Sequence, residues 1–287
     1  MLTDPTFIRR LESLYLLARK VLNGTLQSDR KSTKKGSGIN FADYSEYSLG
    51  DDWRAIDWRV YARLETLMIK LFELEEDVTI HILLDCSKSM ASKLEYAKQL
   101  AAALGYIGLH NLDKVVIYAM ADEIRPILMP SHGRGKTLSM LQSLQDATLF
   151  GNDTNFTDCT KALQVRHRRR GVVIAISDFL FPTGFEEGLK FLQWHKNEVF
   201  CLQVQDKNDL KCDFKGDVEL ECVESGRLQK VTVTEQQAKQ YEQAIADWNE
   251  SLAKTCAKQG IGIASITTET PFDEVIRNIL RRGGLVA

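Results

Sequence analysis

Three apolar runs constrain this chain more than any other feature: "VTIHILLD" (78–85), "GVVIAISD" (171–178) and "NEVFCLQVQD" (197–206). Their β-branched, nearly continuous apolar character marks strands covered on both faces, as in a parallel sheet. Segments with helical spacing separate them, among them "SKLEYAKQLAAALGYIGLHN" and "GFEEGLKFLQWHK". "DKVVIYAMAD" and "IGIASIT" read as further strands. "EIRPILMP" reads as an edge strand, because Pro126 and Pro130 remove ladder donors. "GDVELECVESGRLQKVTVT" reads as a hairpin turning at Glu224-Ser225-Gly226, and the long helical segment after it stops at Gly260. Strand and helix alternate throughout. The expected fold is therefore α/β, a doubly wound, mostly parallel sheet of Rossmann type.

Residues 1–76 read as an N-terminal extension, and 77–287 as the α/β domain. The extension starts with an amphipathic helix ("FIRRLESLYLLARKVL"), followed by a polar, basic stretch, "TLQSDRKSTKKGSG", expected to be a mobile loop. A segment dense in aromatic and charged residues then alternates in "LMIKLFELE" and is expected to carry one or two strands. Lysine plus arginine number 37 against 39 acidic residues, a balance that argues against a nucleic-acid or membrane coat. No window approaches a spanning helix, and the N-terminus lacks an uninterrupted signal-peptide core. The six cysteines form neither CxxC nor a zinc-finger spacing with histidine, so reduced thiols in a cytoplasmic protein are expected.

In an open α/β sheet, ligands gather beyond the carboxyl ends of the strands. Asp85 and Asp178 each end a strand there. Ser87 and Ser89 lie in the turn after Asp85, and "GNDTNFTD" offers Thr154 and Thr157 flanked by Asp153 and Asp158. A serine at such a turn also serves as a helix N-cap, and a strand-end aspartate also caps the next helix. Carboxylate and hydroxyl oxygens together suit Mg2+ or Mn2+. If a carboxylate acts through water, the ion stays electrophilic, and an open position attracts an acidic residue of another molecule. Such a device needs no bond-breaking chemistry.

Asp85-x-Ser87-x-Ser89, a later Thr and a later Asp together resemble the metal-ion-dependent adhesion site of von Willebrand factor A domains. The resemblance implies Asp85, Ser87, Ser89, Thr154 and Asp178 as metal ligands, with Thr157 as fallback for Thr154. A second resemblance covers roughly residues 10 to 285. "YSLGDDWRAIDWRVYARLETLMIKLFELEED", running into "LLDCSKSM", and the later "RRRGVVIAISDFL" are similar to the bacterial domain-of-unknown-function 58 family. Tyr47, Gly50, Asp51, Asp52, Arg54, Ile56, Asp57, Trp58, Ala62 and Arg63 stand at its signature positions. The basic stretch departs from it by lacking a histidine often seen there. This resemblance implies a von Willebrand A-like domain with an N-terminal extension, working with a MoxR-type AAA+ ATPase or its client. It names no reaction.

Other motifs carry less. In "GDDWRAIDW", Arg54 and Arg63 are expected to clasp Asp51, Asp52 or Asp57, with a partner-binding surface as the alternative. "GRGKT" (133–137) has Pro130 where a phosphate-binding loop needs glycine. "RHRRR" (166–170) suits a helix C-terminus. The five histidines form no i, i+4 ligand pair, and His81 is expected to be a hydrogen-bonded core residue. The favoured reading is a non-enzymatic, metal-dependent interaction module. The alternatives are a metal-dependent hydrolase or phosphotransferase using the same rim, and a structural subunit with an empty site.

Overall fold

The computed structural model describes residues 1–25, 32–35, 40–74, 79–151, 154–181, 183–211, 216–221 and 228–281. The chain divides into two compact units, one formed by Met1–Ala18 with Val78–Ala287 and the other by Arg19–Asp77.

In chain order the elements are α1 (Pro5–Thr25), β1 (Ser32–Lys35), β2 (Asn40–Glu46), α2 (Trp58–Leu64), β3 (Met68–Leu74), β4 (Thr79–Asp85), α3 (Leu94–His110), β5 (Lys114–Met120), β6 (Ile124–His132), α4 (Thr137–Asp146), α5 (Phe156–Arg166), β7 (Val172–Ser177), α6 (Glu186–Trp194), β8 (Glu198–Gln205), α7 (Lys207–Leu210), β9 (Gly216–Glu221), β10 (Leu228–Val233), α8 (Glu235–Gln259), β11 (Gly262–Thr267) and α9 (Phe272–Arg281).

The large unit is built on a six-stranded sheet in the order β11-β8-β7-β4-β5-β6. Its pairings are parallel except β5 with β6, the proline-bearing edge. This is the α/β, mostly parallel, doubly wound sheet expected from the sequence. The apolar runs form its centre because both faces are covered. Along β4, Ile82 and Leu84 enter one core with Val115, Ile117, Ile174 and Ile176. Leu83, between them, enters the other core with Val116, Tyr118, Val173 and Ala175. That is the period of two a strand imposes. The first core is closed by α1, α3, α4 and α9, the second mainly by α5, α6 and α8. Gly108 lets α3 lie close on the sheet, since a Cβ there would stand 2.8 Å from both Ile80 and Val115. β9 and β10 pair antiparallel as the expected hairpin; its 222–227 turn lies outside the described residues.

The first half of α1 departs from the 1–76 boundary. Phe7, Leu11, Leu14 and Ala18 repeat at helical spacing and are buried in the first core. Phe7 packs on Phe272 at 5.1 Å, Arg10 pairs with Asp273, and Tyr15 donates to the His110 carbonyl (3.3 Å). The helix therefore completes the α/β core rather than opening a separate domain.

The smaller unit holds a three-stranded antiparallel sheet, β1-β3-β2, and the short α2. Part of the stretch expected to be a mobile loop is a strand here: Ser32–Lys35 pairs with Leu71–Leu74. Local composition says "polar loop", but the ladder is supplied by residues about forty positions away, and lysines suit an edge strand. Residues 26–31 and 36–39 lie outside the described residues. The clasp is also differently wired. Asp57 is bonded by Lys70 (3.0 Å), Tyr44 Oη (3.0 Å) and the Arg59 N–H (2.9 Å). Asp52 accepts from the Arg54 N–H and Asp51 from the Ser48 N–H. The Arg54 guanidinium lies over Trp53, 5.6 Å from the ring centroid. Among the described residues, neither Arg54 nor Arg63 forms the expected carboxylate pair. Nearby backbone donors reach all three aspartates, as caps commonly do, and Lys70 and Tyr44 complete the shell of Asp57.

Candidate functional site

The strand order decides where a site can be. From β4 the chain winds one way through β5 and β6, and then the other way through β7, β8 and β11. β4 and β7 are therefore neighbours at the topological switch point, and the crevice beyond their carboxyl ends is where such sheets bind ligands. Asp85 ends β4, and Asp178 directly follows β7.

Asp85 is fully buried, with both carboxylate oxygens engaged. Oδ1 accepts from the Ser87 N–H (3.0 Å), and Oδ2 accepts from Ser177 Oγ (2.5 Å). Burial pushes this carboxyl up to about 6, and the neighbouring Asp178 charge adds to the rise, while the Ser177 and Ser87 hydrogen bonds oppose it. Ser87 stands at the N-cap of a short 3-10 turn, Lys88–Met90, yet its side chain makes no capping bond. Its Oγ faces Ser89 Oγ at 3.0 Å. The capping explanation for Ser87 thus fails on geometry, and two hydroxyls are presented together beside a buried carboxylate.

Asp178 is buried too. Its Oδ1 accepts from the Leu180 N–H (3.0 Å) and its Oδ2 from Lys93 Nζ (2.8 Å). Between them, Phe179 holds a left-handed backbone (φ 59°), which is uncommon outside glycine. It is fixed by the Ser177 hydroxyl on its N–H (2.9 Å) and by packing against Phe156, Phe181 and Phe185.

Thr154 reaches the same end of the sheet through β5. Met120 lies opposite Asp85 in the β4–β5 register, and the next carbonyl, that of Ala121, accepts from the Asn155 N–H (3.2 Å). Thr154 is 3% exposed, and among the described residues its hydroxyl has no hydrogen-bond partner. A buried unpartnered hydroxyl costs roughly 1–3 kcal/mol. Thr157, the fallback, is a buried residue of the first turn of α5. Asp153 lies outside the described residues.

Two participants escaped the sequence reading. Ser177 is the only hydroxyl in the buried run of β7, and a polar residue inside a two-faced apolar strand was its signal. Lys93 is 2% exposed and bridges Asp178 to Asp209 Oδ2, both at 2.8 Å. It resembles an ordinary helix-entry lysine in sequence, and only the fold shows where its ammonium goes. Burial pulls its pKa down, but the charges and hydrogen bonds of Asp178 and Asp209 outweigh this and leave it raised. Lys93 is thus held as a cation between two carboxylates.

The remaining motifs stay outside this rim. "GRGKT" follows the antiparallel edge β6. Arg166 donates to the Ile124 carbonyl (3.2 Å) at the end of α5. Cys86, Cys159, Cys201 and Cys256 are buried and unbridged, and Cys212 and Cys222 lie outside the described residues. Among the described residues, no three His, Cys, Asp or Glu side chains could by themselves hold a metal. Any ion at this rim would therefore depend on hydroxyl and water oxygens, which suits a hard cation. No described helix is long and apolar enough to cross a membrane.

Residues 43–251 match the family model described as "Protein of unknown function DUF58". The chain belongs to the DUF58 family. A relative, "Uncharacterized protein Mb1516" of Mycobacterium bovis, is 25% identical over 98% of this DUF58 chain and 92% of its own. Two solved structures are similar. BatB from Bacteroides thetaiotaomicron has 16% identity and a TM-score of 0.44 over 71% of this chain and 96% of its own. An aerotolerance-related membrane protein from Bacteroides fragilis has 19% identity and a TM-score of 0.47 over 72% and 98%.

Proposed function

We propose that this DUF58 protein is a non-enzymatic interaction module whose sheet rim takes Mg2+ or Mn2+ and grips an acidic side chain of a protein partner. The observation that carries the reading is the buried Thr154 hydroxyl, without a partner among the described residues, at the rim that also holds Asp85, Ser87 and Ser89. A hard cation would satisfy that hydroxyl and relieve the repulsion between Asp85 and Asp178. Asp85, Ser87, Ser89 and Thr154 would hold the ion. Asp178, whose Oδ2 is already paired with the Lys93 ammonium, would act through water. When bound, the ion supplies electrostatic attraction for an incoming carboxylate. The resemblance drawn from the sequence implies a MoxR-type AAA+ ATPase, or its client, as the partner, and the unbridged described cysteines fit a cytoplasmic setting. An enzymatic reading would need a base at this rim, and Lys93 does not supply one while it is paired with Asp178 and Asp209.

Calorimetric titration of Mg2+ and Mn2+ into wild type and Asp85→Ala tests the cation. Saturable heat is expected in the wild type and none in the variant. Identical heats in the two proteins refute the site.

A further inference from the structure

The rim contains a buried ammonium. Lys93 precedes α3 and sends Nζ to Asp178 and Asp209, each at 2.8 Å. Both carboxylates are anchored. Asp178 Oδ1 accepts from the Leu180 N–H, Asp209 Oδ2 also accepts from the Asp206 N–H (2.9 Å), and Tyr241 Oη donates to the Asp209 carbonyl (3.0 Å). The start of α3, the loop after β7 and the α7 turn thus converge on one tethered positive charge. A buried ion pair of this kind is not separated cheaply, because either partner alone would be a stranded charge. A divalent ion arriving beside Asp85 meets a rim where one of its two carboxylates is already neutralised. It is also repelled by an ammonium that solvent does not screen.

We propose that Lys93 is a positioning residue that keeps Asp178 from direct coordination and lowers the affinity of the rim for a divalent cation. This deepens the proposed function and rests on it. The tethered charge lets the rim fold without the ion, and it makes ion binding depend on further negative charge. An acidic partner side chain supplies that charge, so ion and partner strengthen each other's binding.

The test is titration of Mn2+ into full-length wild type, Lys93→Met, Lys88→Met and Lys93→Met/Asp85→Ala. Lys88 lies between Ser87 and Ser89 but is exposed, so it controls for a solvent-screened positive charge near the rim. Lys93→Met is expected to bind at least about tenfold more tightly than wild type, and Lys88→Met to stay within about twofold. The double variant is expected to lose binding. Equal affinity of wild type and Lys93→Met, or an equal gain in Lys88→Met, overturns the proposal and leaves the cation reading intact. Silence in both wild type and Lys93→Met overturns both. Binding by Lys93→Met alone that disappears with Asp85→Ala supports the role of Lys93 and overturns cation binding by the wild-type rim. If Lys93→Met does not fold, Asp209→Asn keeps the ammonium and removes one of its counter-charges. Its Mn2+ affinity is then expected to fall at least about threefold, and unchanged or tighter binding refutes the proposal.

Discussion

His81 lies within β4, buried, with its ring 4.7 Å from that of His167. Its core position agrees with the sequence reading, but its Nδ1 has no partner among the described residues. Burial, with a smaller contribution from the neighbouring His167, holds its pKa down to about 4. An unfolded imidazole titrates near 6.5, so between those values the unfolded chain binds a proton that the folded chain excludes. The stabilisation is therefore complete above about pH 6.5 and is lost as pH falls toward 4, by at most about 3 kcal/mol. Urea unfolding across that window should show a shallower pH slope for His81→Leu, and parallel slopes would exclude His81 as the source. Ser177 gives a second prediction at this scale. Its hydroxyl donates to Asp85 and accepts from Phe179 N–H, so Ser177→Ala should cost about 1–3 kcal/mol in denaturant unfolding. A variant as stable as wild type would show that the two hydrogen bonds contribute little. Asp85, Ser87 and Ser89 were legible because their order along the chain is local. Ser177, Lys93 and Asp209 act across 92, 85 and 116 residues, distances at which side-chain identity carries no direction.

Elements were read best where burial is two-sided. β4, β5, β7 and β8 needed no context, since a run that is apolar on both pleat faces has few alternatives. β6 was legible from its prolines. β1 was not, because its pairing with β3 comes from elsewhere in the chain. Close approach between elements yields a graded prediction. A Cβ on Gly171 would meet the Thr79 carbonyl oxygen at 2.4 Å, whereas one on Gly105 would meet the Met140 sulfur at 2.5 Å. Backbone cannot yield as a thioether can. Gly171→Ala should thus destabilise by about 2–3 kcal/mol and Gly105→Ala by clearly less. Equal costs in thermal or urea unfolding would contradict this account.

For the whole molecule, the N-terminal helix is the least expected participant. Leu11 is fully buried in the core shared with α3 and α9, so Leu11→Ala should cost about 2–5 kcal/mol. A fragment beginning at Val78 should unfold at lower denaturant than the full chain. Equal midpoints would place α1 outside the cooperative unit. The sequence by itself determined the α/β alternation, the parallel central strands and the carboxylates at their ends, because those follow from local burial pattern and strand termination. It also specified an amphipathic N-terminal helix, but amphipathicity defines a face to be buried and not the surface that buries it. Only the tertiary structure decided that this helix closes the α/β core, that Ser32–Lys35 joins a sheet, and that Lys93 enters the rim beside Asp178. Each of those outcomes depends on contacts between distant segments, whose energies exist only once the chain has folded.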